Sequence, residues 1–211
     1  MRVFPLPVTQ PQRLPPNRQQ ELITQQRQRE VQYNQHLQEQ QNILQERSAN
    51  LQQQNRTEQY RYHQQYLERL RQQQFALRQS YDYDRDPYYY TAPSYRYRRA
   101  GHYYRVNRYA AELLQDAVNY GYEQGFEVGR ADRADHWRYD YAASYAYQDA
   151  DYGYYGRYVD RDEYNYYFRQ GFRRGYQDGY YRRYRYGVSI NGGFRILGGA
   201  LKVIIDLRPL R

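Results

Sequence analysis

The sequence predicts a mainly α-helical protein, and two patterns lead to this prediction. Residues 21–80 contain neither glycine nor proline and consist largely of Gln, Glu, Arg and Leu, which are good helix formers. Residues 121–129 and 171–179 repeat glycine at every fourth position, and positions four apart share one face of a helix. The predicted architecture is a long N-terminal Gln-rich helix, a compact repeat domain of about three helices, and a short C-terminal β-hairpin or helix.

Composition limits the size of the core and divides the chain into segments. Tyrosine accounts for 32 residues, and the mean hydropathy is -1.27. Because each buried phenol needs a hydrogen-bond partner, a large and dry enzyme core is not expected. The segments are a proline-rich lead expected to be disordered (1–20), a long Gln-rich helix or coiled coil (21–80), a linker rich in Tyr, Arg and Asp (81–103), a glycine-striped helical domain (104–186) and an apolar tail (187–211).

The Gln-rich segment carries a narrow apolar stripe. Its eleven-residue repeat, interrupted at Asn55, favours straight or slightly right-handed association of long helices. One continuous helix over 21–80 would be about 90 Å long. The stripe is too narrow to stabilise a lone helix, so a homo-oligomer or a partner helix is expected; the alternatives are a fraying polar helix and a disordered Gln tract. The stripe consists of Leu22, Tyr33, Leu37, Leu44, Leu51, Tyr62, Tyr66, Leu70 and Leu77.

The repeat domain contains two stripes of small residues, each flanked by a stripe of bulky ones. A glycine inside a helix costs about 1 kcal/mol relative to alanine, so these glycines need a compensating contact. Packing the bulky stripe of one helix over the small stripe of another supplies it, since each buried large side chain contributes about 1.5–3 kcal/mol. The alternative is a disordered region rich in Tyr and Gly. The predicted packing residues are Gly121, Gly125, Gly129, Gly171, Gly175, Gly179, Tyr122, Phe126, Phe172 and Tyr176.

A third, shorter helix is expected within 134–150. The segments GYEQGFEVGRAD (121–132), DADYGYYG (149–156) and YFRQGFRRGYQDGY (167–180) resemble uncharacterised bacterial proteins, acidobacterial in type, with glycine-spaced aromatic helices. The resemblance spans the repeat domain alone and implies a fold but no activity. Such proteins often carry export signals, whereas this chain shows no signal peptide, so export is expected only if the true start lies upstream. The localisation stays open.

The tail predicts a small β-hairpin or meander. Gly-Gly pairs at 192–193 and 198–199 suit turns, and apolar residues alternate with polar ones over 201–208, interrupted at Ile204. The alternative is a terminal amphipathic helix. No run in the chain approaches the roughly 20 apolar residues of a membrane span, so none is predicted.

No group of residues in the sequence predicts an enzyme. The chain has no cysteine, no phosphate-binding loop motif and no Ser–His–Asp arrangement that spacing supports. Neither a cofactor nor a small-molecule substrate is expected. One metal-binding hypothesis is weighed: Asp132, His136 and Asp140 are spaced four apart and would share a helix face. Ion pairing with the neighbouring arginines is the alternative.

A group of arginines and tyrosines predicts binding of nucleic acid or of an anionic surface. The net charge is +9, and Lys202 is the only lysine. Guanidinium groups bind phosphate and stack on aromatic rings, and interleaved tyrosines can stack on unpaired bases. A GC-rich genome is the alternative explanation for the excess of arginine. The group consists of Arg96, Arg98, Arg99, Arg105 and Arg108.

Together these patterns predict a non-enzymatic structural or interaction protein. Self-association through the long helices and the glycine-striped domain is the leading hypothesis. The Arg/Tyr-mediated nucleic-acid or anionic-surface binder is the alternative, and a metal-responsive envelope protein using the 132–140 face comes third.

Overall fold

The computed structural model describes residues 13–79 and 81–210, and it confirms the mainly helical fold class with a long N-terminal helix. The helices are α1 (Pro16–Gln53), α2 (Thr57–Leu77), α3 (Arg108–Ala134), α4 (Tyr145–Asp149), α5 (Arg161–Tyr180) and α6 (Gly198–Ile204). The strands are β1 (Tyr95–Arg99), β2 (His102–Val106), β3 (Gly187–Ile190), β4 (Gly193–Ile196) and β5 (Arg208–Pro209), and short 3-10 turns cover Pro87–Tyr90 and Tyr141–Ala143.

The Gln-rich segment forms a hairpin of two helices, so the expectation of one continuous helix over 21–80 is wrong. The chain reverses at Asn55, whose φ of 56° lies in the left-handed region that asparagine tolerates better than most residues. The Arg56 N–H closes the turn by donating to the Leu51 carbonyl at 2.9 Å. Because α1 begins at Pro16, the predicted disordered lead is also too long. The rest of that lead, 1–12, lies outside the described residues.

Most of the apolar stripe of the hairpin is buried inside the chain itself. Six of its nine residues join a single core cluster with residues of α3 and α5. Glutamine side chains add polar contacts to the same interface: the Gln59 amide donates to the Val128 carbonyl at 3.1 Å, and the Gln73 amide donates to the Tyr154 carbonyl at 3.0 Å. The hairpin therefore has its partner helices within the protein. The stripe residues in this core are Tyr33, Leu37, Leu44, Tyr62, Tyr66 and Leu70.

The segment 81–103 is ordered structure, which corrects the predicted linker. Asp86 begins a 3-10 turn by accepting from the Tyr88 N–H at 2.9 Å. Strands β1 and β2 then form a hairpin through Ala100 and Gly101, both with positive φ as a two-residue hairpin turn of this type requires. Its alternating tyrosines are buried, which composition alone does not reveal. The buried tyrosines of this segment are Tyr89, Tyr95 and Tyr97.

Helices α3 and α5 pack main chain against main chain. A Cβ atom on any of the six glycines would overlap a carbonyl oxygen of the opposite helix. The bulky stripe thus meets the glycines through its backbone, not through its side chains as predicted. The facing pairs follow the same order along both helices, which therefore run parallel. The pairs are Gly121–Phe168, Gly125–Phe172, Gly129–Tyr176, Gly171–Val118, Gly175–Tyr122 and Gly179–Phe126.

Two phenol–carboxylate hydrogen bonds cross the same interface. Tyr122 on α3 donates to Asp178 on α5 at 2.9 Å, and Tyr176 on α5 donates to Asp132 on α3 at 2.5 Å. All four side chains are buried. The third helix expected within 134–150 is reduced to α4, the single turn Tyr145–Asp149.

The tail contains both predicted alternatives, in sequence order. Strands β3 and β4 form the hairpin, turning at Asn191 and Gly192 with φ of 51° and 80°. The alternating segment that suggested a strand instead begins inside α6, so Leu201 is buried while Val203 is 80% exposed. Strand β5 pairs with β1 and completes a sheet in the order β2–β1–β5. Among the described residues, no helix is long and apolar enough to cross a membrane.

Candidate functional site

The β2–β1–β5 sheet separates its tyrosines from its arginines. Side chains alternate along a strand, so the burial of Tyr95 and Tyr97 on one face turns Arg96 and Arg98 outward on the other. Residues directly opposite in antiparallel strands share a face. The outer face is therefore an arginine surface around one exposed ring, which we call the arginine face. It consists of Arg96, Arg98, Tyr103, Arg105 and Arg208.

The arginine face places like charges side by side. Arg96 lies opposite Arg105 on β2 and opposite Arg208 on β5. Within the described residues, no carboxylate lies within ion-pair distance of Arg96, Arg98 or Arg105, whereas Arg208 pairs with Asp206 at 2.5 Å. Tyr103 is 64% exposed. The Arg96 and Arg98 guanidinium groups lie 5.4 and 6.0 Å from the centre of its ring.

Two of the five arginines predicted for nucleic-acid binding lie away from this face. Arg99 points to the inner side, where it pairs with Glu163 and lies 4.4 Å from the Tyr166 ring. Arg108 opens α3 and lies over the ring of its neighbour Tyr109 at 4.7 Å. Arg208 is absent from the predicted group, because only tertiary structure brings β5 beside β1.

The structure does not bring together the residues of the predicted metal site. Helix α3 ends at Ala134, and His136 has a φ of 56°, so Asp132, His136 and Asp140 do not continue one helix face. Asp132 is buried and accepts hydrogen bonds from Arg56, from Gln59 at 2.7 Å and from Tyr176. Asp140 caps the 3-10 turn at Tyr141–Ala143. The metal hypothesis for these three residues is therefore wrong.

A different histidine meets two buried carboxylates. The ligand atoms of His36 on α1, Asp149 at the end of α4 and Asp151 lie within 4.8 Å of one another. His36 Nε2 is 3.2 Å from Asp149 Oδ1 and 2.9 Å from Asp151 Oδ2. Burial alone would lower the pKa of His36, but the hydrogen bonds to both aspartates outweigh it and raise the pKa to about 9. The imidazole is therefore protonated at neutral pH, where it faces the two carboxyl groups.

Arg161 at the start of α5 adds a second cation to this cluster. Its Nε donates to Asp151 Oδ2 at 2.7 Å. Tyr66 donates to the remaining oxygen of Asp149 at 2.8 Å. Arg161 thus adds a second cation beside Asp151. We therefore regard the cluster as a partly buried ion network that joins α1 to the segment before α5.

His63 on α2 is a buried histidine whose pKa is shifted in the opposite direction. It is 6% exposed, and its Nδ1 has no hydrogen-bond partner among the described residues. Burial, with smaller effects of the Arg47 and Arg56 charges, lowers the pKa of His63 from 6.5 to about 4. The ring is therefore neutral at physiological pH.

This titration predicts a loss of stability in mild acid. The histidine binds its proton near pH 6.5 in the unfolded chain and near pH 4 in the folded one. The stability that the neutral ring contributes to the fold is therefore fully present above pH 6.5 and is lost as the pH falls toward 4. The shift corresponds to about 3 kcal/mol. We expect His63→Gln to flatten the pH dependence of the unfolding free energy across this window, as urea titrations at pH 7 and pH 4.5 would measure. Equal pH dependence in both proteins would contradict the assignment.

Comparison of the chain with protein-family models, curated proteins and solved structures finds no match.

Proposed function

We propose that this protein is a non-enzymatic binding protein that holds single-stranded nucleic acid on its arginine face. The observation that carries the proposal is the row of arginines at Arg96, Arg105 and Arg208, directly opposite one another across three strands. Like charges in this position destabilise a sheet on their own. A chain of phosphates neutralises them and releases its counterions on binding.

Two further features favour a single strand over other polyanions. The Tyr103 ring is exposed between guanidinium groups, which suits stacking of an unpaired base. The face is also narrow, since β1 and β2 are five residues long and a strand rises about 3.3 Å per residue. Such a surface accommodates a few nucleotides.

Self-association through the Gln-rich helices has less geometric support. The stripe residues Leu37, Leu44 and Leu70 are completely buried within the chain, so they do not present an apolar seam to a second copy. The proposal therefore rests on the sheet and treats the α1–α2 hairpin as scaffold.

The test measures binding of a fluorescently labelled oligothymidylate by polarisation at several salt concentrations. For three phosphate contacts we expect a slope of about −2 in log K against log salt, from the single-strand coefficient. Replacing Arg96, Arg98 and Arg105 together by glutamine should lower affinity at least tenfold at low salt and flatten the slope, because the neutralised phosphates lose their partners.

The matched control removes the same charge elsewhere. Arg18, Arg61 and Arg71 are exposed and each pairs with a glutamate three residues away, so their triple glutamine variant should bind like the parent. Tyr103→Ala should weaken oligothymidylate by about 1–3 kcal/mol while leaving heparin binding unchanged. Equal affinities of the two triple variants, or no binding at low salt, would refute the proposal. Tighter binding of anionic vesicles than of oligothymidylate would also refute it.

A further inference from the structure

A cavity opens beside the turn of the α1–α2 hairpin, away from the arginine face. Its volume is about 170 Å³, and its walls come from α1, from α2 and the turn before it, and from the stretch between the end of α3 and the start of α4. None of its lining residues belongs to β1, β2 or β5. An apolar cavity of about 150 Å³ is large enough for benzene. The space therefore suits an occupant the size of a single substituted aromatic ring.

The charged groups of the cavity wall are paired, with one exception. Arg56 pairs with Asp132, and Arg138 lies 3.2 Å from Asp140. Arg47 is half-buried and, among the described residues, has no carboxylate within ion-pair distance; its guanidinium lies 5.5 Å from the centre of the Tyr145 ring. A guanidinium offers a planar fork that matches a carboxylate. Arg47 is therefore the one cation of the wall that has no carboxylate partner in the described chain.

The wall also holds two aromatic rings and a neutral imidazole, beside the polar side chains of Asn50, Gln59 and Ser144. Trp137, stacked under Arg56 at 4.3 Å, lines the cavity together with the buried ring of Tyr145 and the side chain of Leu51. His63 also lines it, and the unpaired Nδ1 of this buried ring has no partner in the described chain. Apolar rings, one unpaired cation and an unpaired imidazole are the features of a pocket for a small amphipathic anion.

We propose that this cavity binds a small aromatic monocarboxylate of benzoate size. The carboxylate pairs with Arg47, and the ring packs against Trp137 and Tyr145. A dianionic phosphate brings more charge than the one unpaired guanidinium balances, and it lacks a ring for the aromatic wall. Acetate carries the charge without the ring, and benzamide carries the ring without the charge.

Trp137 reports on the cavity directly, because it is the only tryptophan of the chain. We expect benzoate to change its fluorescence saturably, with a matching heat of binding in calorimetry on the full chain. Benzamide, acetate and inorganic phosphate should each bind at least tenfold more weakly. These comparisons use the parent protein, so they do not depend on whether a variant folds.

A variant pair then tests the role of Arg47. Arg47→Gln should weaken benzoate at least tenfold and leave benzamide unchanged, with a melting temperature close to the parent's. Arg71→Gln removes an equal charge from an exposed position on α2 that pairs with Glu68 and should bind benzoate normally. The proposal fails if benzoate leaves both Trp137 fluorescence and the calorimetric signal unchanged. It also fails if benzamide matches benzoate, or if Arg47→Gln binds benzoate as the parent does.

Discussion

Gly125→Ala is expected to lower the free energy of unfolding by about 3 kcal/mol or more, although alanine is the better helix former. The added Cβ would overlap the Phe172 carbonyl oxygen and lie 2.8 Å from the Tyr176 backbone nitrogen. Backbone atoms of a packed helix cannot rotate away as a side chain does. Helices α3 and α5 would have to separate, and the contacts around the other five glycines would loosen with them.

Gly199→Ala is the matched control for this substitution. Gly199 lies in α6, and beyond its own helix and chain neighbours no described atom lies within 4 Å of the position that a Cβ would take. Here the higher helix propensity of alanine acts alone, so the same change should stabilise the protein by up to about 1 kcal/mol. Urea unfolding followed by circular dichroism measures both variants. If they shift stability alike, the main-chain contact between α3 and α5 is absent.

Arg161→Gln is expected to lower the free energy of unfolding by about 2–3 kcal/mol, since removing one partner leaves a buried charge uncompensated. Asp151 is completely buried, and Arg161 and His36 are the cations that face it. Burial first, and then the charge of Asp149, raise the pKa of the Asp151 carboxyl. Loss of the guanidinium raises this pKa further, so protonation of Asp151 should relieve the variant as the pH falls.

The loss of unfolding free energy in Arg161→Gln, relative to the parent protein, should therefore be largest near neutral pH and become smaller in acid. The control is Arg18→Gln, which breaks a pair with Glu21 whose side chains are 54% and 55% exposed; its expected cost is under about 0.5 kcal/mol at any pH. Chemical denaturation at pH 7 and pH 5 distinguishes the two variants. A deficit for Arg161→Gln as small as that of the control would show that the cluster is solvated.

The sequence was most informative where its pattern is local. Glycine at every fourth residue predicts a stripe of glycines on one face of a helix, and the structure places all six glycines in one interface. The break of the Gln-rich segment was also encoded, because Asn55 interrupts the eleven-residue stripe and tolerates a left-handed φ. The flanking residues are nevertheless strong helix formers, so one continuous helix was predicted across Asn55. The strands in 81–103 were missed because Tyr, Arg and Asp suggest a linker until their alternate burial is known.

The environments of His36 and His63 could not be predicted from the sequence. His36 lies 113 positions from Asp149, and only the folding of α1 onto the loop before α5 joins them. The arginine face could be predicted in part. Arg96, Arg98 and Arg105 are close together in the sequence, whereas Arg208 lies near the other end of the chain. In the predicted 132–140 site, Asp132 instead accepts a hydrogen bond from Tyr176, and Asp140 caps the 3-10 turn at Tyr141–Ala143.

The glycine stripes leave the alignment of α3 and α5 ambiguous by one helical turn. A slide of about 6 Å, which is four residues at a rise of 1.5 Å each, would still set glycine beside glycine at two of the three levels, because the motif repeats every four residues. What distinguishes the correct alignment is the pair of phenol–carboxylate bonds, Tyr122 to Asp178 and Tyr176 to Asp132, which the slide would break. The glycines thus determine how near the two helices come, and the tyrosines determine which turn faces which.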